Sequence, residues 1–174
     1  LEAEGLFGSQ EEIDASPRQT FGTVKPGDIK YKDQNGDKII DNNDMVYVGR
    51  GSNPVNFGVN LTIGYRNFTL HANGYGSMGG YSSIEGSYYR MSGTDKYSVI
   101  SKERWTEATK ATAKYPRLSS VEATNNNQSS TYWLFKNRYF NLSRIQLSYS
   151  FAPHICRKLQ LGHLDVYLLA LSLI

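Results

Sequence analysis

The segment VNFGVNLTIGY, residues 55–65, decides the fold class of this 174-residue chain. Apolar residues occupy its odd-numbered positions, and polar or small residues occupy the even-numbered ones: Val55, Phe57, Val59, Leu61, Ile63 and Tyr65 alternate with Asn56, Gly58, Asn60, Thr62 and Gly64. A period of two over eleven residues predicts a β-strand with one apolar face. After a tight turn at Arg66 and Asn67, the alternation resumes from Phe68, so we predict a hairpin over residues 55–75.

A second alternating stretch lies near the end of the chain. Its apolar row and its polar row interleave: Ser143, Ile145, Leu147, Tyr149 and Phe151 alternate with Arg144, Gln146, Ser148 and Ser150. A short connector follows Pro153, and the segment LDVYLLALSLI then begins at Leu164. That segment is apolar on both faces and predicts another strand, although a buried helix end has the same pattern. We therefore predict a second strand pair over residues 137–174.

The remaining segments, residues 1–54 and 76–136, are rich in Gly, Ser, Asn and Asp and predict long loops. Within them, SQEEID at residues 9–14 fits a short capped helix. Short turns would then lie at one end of the strands and long loops at the other. Outer-membrane barrels are built in this way, whereas soluble sandwiches have loops of similar length at both ends. The predicted class is all-β, with antiparallel strands from a large transmembrane β-barrel that has long extracellular loops and is incomplete in this chain.

The composition agrees with an all-β protein and excludes several other classes. The chain contains 13 Tyr, 7 Phe and 16 Gly but only 3 Met and 5 Pro, a mixture that favours strands and turns. Its net charge of +3 is small and its basic residues are scattered, so no nucleic-acid surface is expected. Cys156 is the single cysteine, which rules out an internal disulfide. No apolar run of about 18 residues is present, so a helical membrane span is not expected.

One motif carries metal-binding chemistry, the stretch DQNGDKIIDNND at residues 33–44. Its oxygen ligands have the spacing of positions 1, 3, 5, 7, 9 and 12 of a calcium loop: Asp33, Asn35, Asp37, the Ile39 carbonyl, Asp41 and Asp44. Lys38 replaces the usual turn glycine, and Asp44 replaces the usual bidentate Glu. The sequence predicts a structural Ca²⁺ site here, with a solvated Asx-rich loop as the alternative.

Other candidate residues fit structural roles more simply. The aromatic side chains that could stack on sugar rings also fit packing or an interfacial girdle: Trp105, Trp133, Tyr115, Tyr81, Tyr88 and Tyr89. His71, His154 and His163 have no ligand spacing. Glu103 and Glu107 could act as an acid and a base, but their spacing is typical of a solvated helical turn. We therefore expect no catalytic site.

Five stretches, taken in order, resemble SusC/RagA-type TonB-linked outer-membrane transporters. They are EGLFGSQEEID at 4–14, PGDIKYKDQNGDKIIDNND at 26–44, the strand at 53–65, RWTEATKATAKYPRLSS at 104–120, and SSTYWLFKNRYFNLSRIQLSYSFAP at 129–153 together with LDVYL at 164–168. The resemblance implies a plugged barrel of about 22 strands. It also implies import of glycans or peptides, with oligosaccharide or peptide as substrate, through the outer membrane.

The resemblance further implies two protein partners and a lipid environment. The partners would be a SusD-like surface lipoprotein and the TonB complex, which is contacted through N-terminal parts absent here. After Leu168 the sequence departs from the family pattern, so we expect a C-terminal piece of the barrel truncated at both ends, with Ile174 on the outer side of the membrane.

Two other functional classes remain open from the sequence. The alternative function is a secreted, calcium-stabilised β-domain that binds glycans. A carbohydrate-active enzyme is a third class, and it rests only on the acidic and aromatic residues. Detergent dependence would separate the first two, because a barrel segment needs detergent and an adhesion domain does not.

Overall fold

The computed structural model describes residues 1–91, 93 and 97–172. The chain forms two compact units, which we call the loop unit (Leu1–Gly49 with Ser82–Phe135) and the sheet unit (Arg50–Tyr81 with Lys136–Ile174). The elements in chain order are β1 (Ala3–Leu6), α1 (Gln10–Ala15), β2 (Arg18–Gln19), β3 (Ile29–Tyr31), β4 (Ile39–Ile40), β5 (Val55–Tyr65), β6 (Phe68–Ser83), β7 (Leu134–Ser150), α2 (Pro153–Lys158) and β8 (Asp165–Leu171). Among the described residues, no helix is both long enough and apolar enough to cross a membrane.

The sheet unit is built on one four-stranded sheet with the order β5-β6-β7-β8. β5 and β6 pair antiparallel from Tyr65↔Phe68 to Val55↔Met78, without a register shift. Arg66, the first residue of the two-residue turn, has a left-handed φ of 53°, which lets the chain reverse so tightly. The predicted hairpin is confirmed, but β6 continues beyond residue 75 to Ser83.

The second strand pair is also confirmed within the described residues. β7 and β8 pair antiparallel from Ser150↔Asp165 to Arg144↔Leu171. The connector between them contains the six-residue helix α2, whose first residue is Pro153. Proline is well tolerated there because its missing N–H would have no partner in the first turn of a helix. The prediction for Ile174 lies outside the described residues.

Side-chain contacts of β7 reveal a change of face that simple alternation does not predict. Phe140 stacks on Phe57, and Tyr149 packs on Phe68, with ring centroids 6.1 Å and 4.8 Å apart. Phe57 and Phe68 share one face of the β5–β6 pair because Phe68 lies opposite Tyr65. An even-numbered and an odd-numbered residue of β7 therefore contact the same face. The alternation of β7 shifts by one residue between them, as it does at a β-bulge.

The loop unit has its own apolar core, although its segments read as loops in the sequence. Its central cluster consists of Leu1, Ile29, Tyr31, Ile40 and Trp133. β1 pairs antiparallel with β3, and β2 pairs parallel with β4, which brings the first 40 residues together. Ser9 caps α1 by accepting a hydrogen bond from the Glu12 amide, so the predicted capped helix is confirmed.

In the loop unit, buried amide side chains make hydrogen bonds that neighbouring strands would make in a regular sheet. The Gln19 side chain donates to the Asn125 side chain at 2.8 Å and accepts from the Tyr31 amide at 2.7 Å. Asn126 accepts from the Ile29 amide at 2.8 Å. Asp28, which is 1% exposed, accepts from the Asn126 side chain and forms an ion pair with Arg117. Because a buried backbone N–H or C=O needs a partner, this network allows irregular segments to share one core.

Two glycines of the sheet unit give a matched test of its packing. A Cβ on Gly76 would lie 2.4 Å from the Phe57 ring and 2.8 Å from the Tyr139 carbonyl oxygen, whereas a Cβ on Gly64 would meet nothing within 4 Å. We expect Gly76→Ala to destabilise the sheet by about 1–3 kcal/mol through overpacking. Gly64→Ala should have little effect. Denaturant unfolding in detergent micelles would measure both, and equal midpoints for the two variants would contradict the packing.

Candidate functional site

One face of the four-stranded sheet is apolar and open. Along β5 the odd-numbered side chains point to this face, and Val59, Leu61 and Ile63 are each about half exposed, at 49%, 46% and 51%. Val166 and Leu168 of β8 lie opposite Tyr149 and Leu147 and so extend the same face. A soluble sheet of this length would bury such a face against a second layer. This face needs an apolar environment instead.

The opposite face is polar along β5, β6 and β7, where side-chain hydrogen bonds cross-link it, whereas β8 contributes the apolar residues Tyr167, Leu169 and Leu171 to it. Thr62 and His71 lie directly opposite each other on β5 and β6, and the Thr62 hydroxyl oxygen is 2.9 Å from His71 Nδ1. The Asn73 side chain donates a hydrogen bond to the Asn60 side chain. The Ser143 hydroxyl donates to the Asn73 side chain at 2.6 Å, which ties β7 to β6. Polar cross-strand pairs of this kind suit a surface that faces water.

Both short connections of the sheet lie at the same end. The Ser150 amide donates to the Asn67 carbonyl at 2.9 Å, and the Asn67 side chain donates to the Ser150 carbonyl at 2.6 Å. The Phe151 amide donates to the Leu164 carbonyl, which closes the connector that contains α2. The turn between β5 and β6 and the connector between β7 and β8 are therefore neighbours. The chain leaves and re-enters the sheet for residues 84–133 at the other end.

The loop at residues 33–44 has an ordered pattern of side-chain to main-chain hydrogen bonds. The two Asp33 carboxylate oxygens accept from the amides of Gly36 and Lys38, at 2.6 and 2.9 Å. Asp37 accepts from the Ile39 amide at 2.8 Å. Lys38 has a left-handed φ of 65°, the conformation that the glycine at this position of a calcium loop supplies. Ile40 is fully buried, so the loop is anchored to the core.

Asp44 closes this loop. It is fully buried, and its carboxylate accepts from the amides of Gln34 and Asp41 at 2.8 and 2.9 Å. These amides, first of all that of Asp41, hold the pKa of Asp44 below its ordinary value. Within the described part of the chain, no three Asp, Glu, His or Cys side chains converge as a metal site. The six predicted ligands therefore lie in one loop without meeting at one point, and Ca²⁺ binding stays a prediction.

The other candidate residues have structural surroundings. Trp105 and Trp133 are buried, and the Trp133 indole donates to the Asn126 carbonyl at 2.8 Å. Tyr88 and Tyr89 pack edge to face against each other. Glu103 forms an ion pair with Lys114, and Glu107 forms one with Lys110, so the two carboxylates have separate partners. His163 contacts Asp165. None of these contacts assembles a catalytic group.

Comparison with known proteins shows a relative by sequence and a match by fold. No family model matches the chain. The chain is 30% identical over 149 residues to TonB-dependent receptor P26 of Formosa agariphila, a match that covers 84% of the chain and 14% of that receptor. This chain is similar to one part of a TonB-dependent receptor. Its fold matches a chain in the structure of the RagAB peptide transporter, with a TM-score of 0.52 and 21% identity over 67% of the chain and 13% of that structure's chain.

The comparisons bear on three of the sequence-based predictions. The sequence relative confirms the predicted resemblance, and the strands together with the fold match confirm the all-β class. The prediction that the chain is not an enzyme agrees with both matches, a TonB-dependent receptor and a chain of a peptide transporter. The match spans only about one seventh of the receptor's length. No role for Lys136 and Arg138 of β7 was predicted, because the one-residue shift that places them on the apolar face with Phe140 is visible only in the structure.

The buried carboxylate of Asp44 generates a pH prediction for the loop unit. The pKa of the Asp44 carboxyl is lower in the folded chain than its ordinary value of about 4. The ionised carboxylate therefore stabilises the fold at pH values above about 4, and this stabilisation is lost as the pH falls through the pKa of the folded state. We expect Asp44→Asn to destabilise the loop by about 1–3 kcal/mol at neutral pH and to weaken its acid sensitivity. Amide hydrogen exchange at Gln34 and Asp41 would measure this.

Asp37→Asn is the control, since that carboxylate is exposed and bonds only within its own turn. Exchange rates at Gln34 and Asp41 that respond equally to both substitutions would contradict a special role of Asp44.

Proposed function

We propose that this chain forms part of the barrel wall and extracellular loops of a TonB-dependent transporter in the outer membrane. The observation that carries the proposal is the exposed two-faced sheet, which is apolar on one face and, along β5, β6 and β7, polar on the other. In a barrel wall the apolar face contacts lipid and the polar face lines the lumen. β5 has 11 residues, a length that spans the hydrocarbon layer when the strand is tilted.

The orientation of the sheet supports the same function. Outer-membrane barrels have short turns on the periplasmic side and long loops on the outside. The end with the Arg66–Asn67 turn and α2 would then face the periplasm. The chain segments that leave the other end of the sheet would then be extracellular.

The proposal for cargo and partners is drawn from the relatives and not from a binding site in this chain. The structural match is a peptide transporter, and the sequence match is a TonB-dependent receptor. We extend to this chain the import of peptides or glycans, a SusD-like lipoprotein partner, and energy coupling through TonB by other parts of the receptor. Growth of a strain deleted for the receptor, on defined peptides or glycans, would test the cargo.

A secreted glycan-binding β-domain, the alternative function, predicts a different environment for the apolar face. In such a domain Val59, Leu61 and Ile63 would either be covered by a second layer or be replaced by polar residues. The half-exposed aliphatic row favours the membrane.

Paired arginine substitutions on adjacent residues separate these two functions. Leu61 and Thr62 are both exposed residues of β5 but lie on opposite faces. In a lipid-facing wall, Leu61→Arg should cost about 2–4 kcal/mol near the membrane midplane, whereas Thr62→Arg, in the lumen, should cost much less. In a soluble domain that leaves both faces of this sheet exposed to water, both sites should tolerate arginine within about 0.5 kcal/mol. Folding titrations of the receptor into lipid vesicles measure both changes, and equal costs would contradict the barrel wall.

We also propose that the loop at residues 33–44 binds Ca²⁺ in a structural role. An extracellular loop meets high free calcium, so a dissociation constant of roughly 10⁻⁴ to 10⁻³ M would suffice, which suits a loop without the bidentate Glu. Calorimetry should detect binding in the wild-type receptor and lose it in Asp33→Ala and Asp37→Ala. Asp14→Ala, on α1 outside the loop, is the control. The absence of binding heat at millimolar calcium would leave only the Asx-rich loop.

A further inference from the structure

The apolar face of the sheet unit becomes cationic towards the end at which the chain leaves for the loops. A groove of about 410 Å³ lies there, lined by Phe57, Ser77, Met78, Arg138, Tyr139 and Phe140. A second groove of about 350 Å³ adjoins it through Met78 and Arg138 and also contacts Lys136. Phe140 stacks on Phe57, so the floor of the first groove is aromatic.

The two basic residues share a face with the aromatic floor. Phe140, Arg138 and Lys136 are alternate residues of β7, and alternate residues of a strand point to the same side. At about 3.3 Å per residue, the row from Phe140 to Lys136 is about 13 Å long. The row therefore leads from the apolar Phe140 to the exposed cations Arg138 and Lys136, over a length of roughly the thickness of a lipid headgroup region. Long basic side chains commonly reach from an apolar surface towards water in this way.

No acidic side chain of the described sheet unit offsets these charges. Its sequence contains one acidic residue, Asp165, which begins β8 at the opposite end of the sheet, opposite Ser150. Within the described residues, Lys136 and Arg138 form no ion pair. A ligand with negative charge and an apolar part would complement this end of the face.

We propose that these grooves bind a phosphorylated glycolipid of the outer leaflet, of the lipid A type. This inference rests on the proposed function, because only a barrel wall with its loops outside would present this end of the face to that leaflet. Acyl chains would lie along Phe57, Met78 and Phe140. Phosphate groups would meet Arg138, whose planar guanidinium can donate two parallel hydrogen bonds, and Lys136, which supplies a point charge.

The test uses the full-length receptor that carries this chain, purified in detergent and titrated with diphosphoryl lipid A or with its dephosphorylated form. We expect the double variant Lys136→Gln, Arg138→Gln to bind diphosphoryl lipid A about tenfold more weakly, the loss expected for one or two charge-assisted hydrogen bonds. Binding of the dephosphorylated lipid should be weak in the wild type and unchanged in the variant. Native mass spectrometry counts bound lipid for each receptor molecule.

Two further variants make the result specific. Arg157→Gln, Lys158→Gln removes the same charge from α2, at the turn end of the sheet, and should leave lipid A binding unchanged. Arg138→Lys should recover part of the affinity, because the positive charge remains. Equal affinity of the wild type and the Lys136, Arg138 double variant would overturn the inference, and so would equal binding of the two lipids by the wild type. Either result leaves the barrel wall intact, since the latter is tested separately by Leu61→Arg.

Discussion

The in-register pairing of β5 with β6 is the constraint on which the rest of the sheet depends. Residues directly opposite each other on paired strands share a face, so the uninterrupted register from Tyr65↔Phe68 to Val55↔Met78 fixes eleven residue pairs at once. A slip of one residue would exchange the aliphatic row for Asn60, Thr62 and their neighbours. In the proposed barrel wall, that slip would place polar side chains in the hydrocarbon and aliphatic side chains in the lumen. The register is therefore the one that suits the proposed environments.

The glycines of β6 determine how the side chains of β7 pack against the β5–β6 pair. Gly74 and Gly76 leave space on the apolar face, and the rings of Phe140 and Phe57 occupy it, since a Cβ at either glycine would come within 2.6 Å of those rings. The stacked pair bridges β5 and β7 across the glycine row. Close aromatic cover of glycine positions in a strand offsets their poor intrinsic strand stability. The shift of face in β7 then lets Phe140 and Tyr149 both serve the same surface.

The parts predictable from the sequence are those where local alternation and global structure agree. Both strand pairs and the capped helix α1 follow from local patterns, and the ends of the strands do not. β6 extends to Ser83 through the glycine-rich stretch around Gly79, where no side-chain period is visible. The core of the loop unit escaped prediction for another reason. Its contacts join residues about 100 positions apart, such as Gln19 with Asn125, and irregular segments carry no period that reports such pairs.

The loop at residues 33–44 has the sequence spacing of a calcium loop, but its acidic side chains do not converge on one position. Each carboxylate has about four lone-pair positions, so the amides that bond Asp33 and Asp44 do not exhaust their capacity to accept. Both oxygens of Asp33 and both oxygens of Asp44 accept amide hydrogen bonds, and each oxygen keeps a further lone pair. In the proposed calcium-bound loop, exposed Asp37 and half-buried Asp41 would have to rotate towards Asp33, while buried Asp44 keeps its position. That rotation would break the hydrogen bonds from the Ile39 amide to Asp37 and from the Asn43 amide to Asp41, so the bound ion would have to offset their loss.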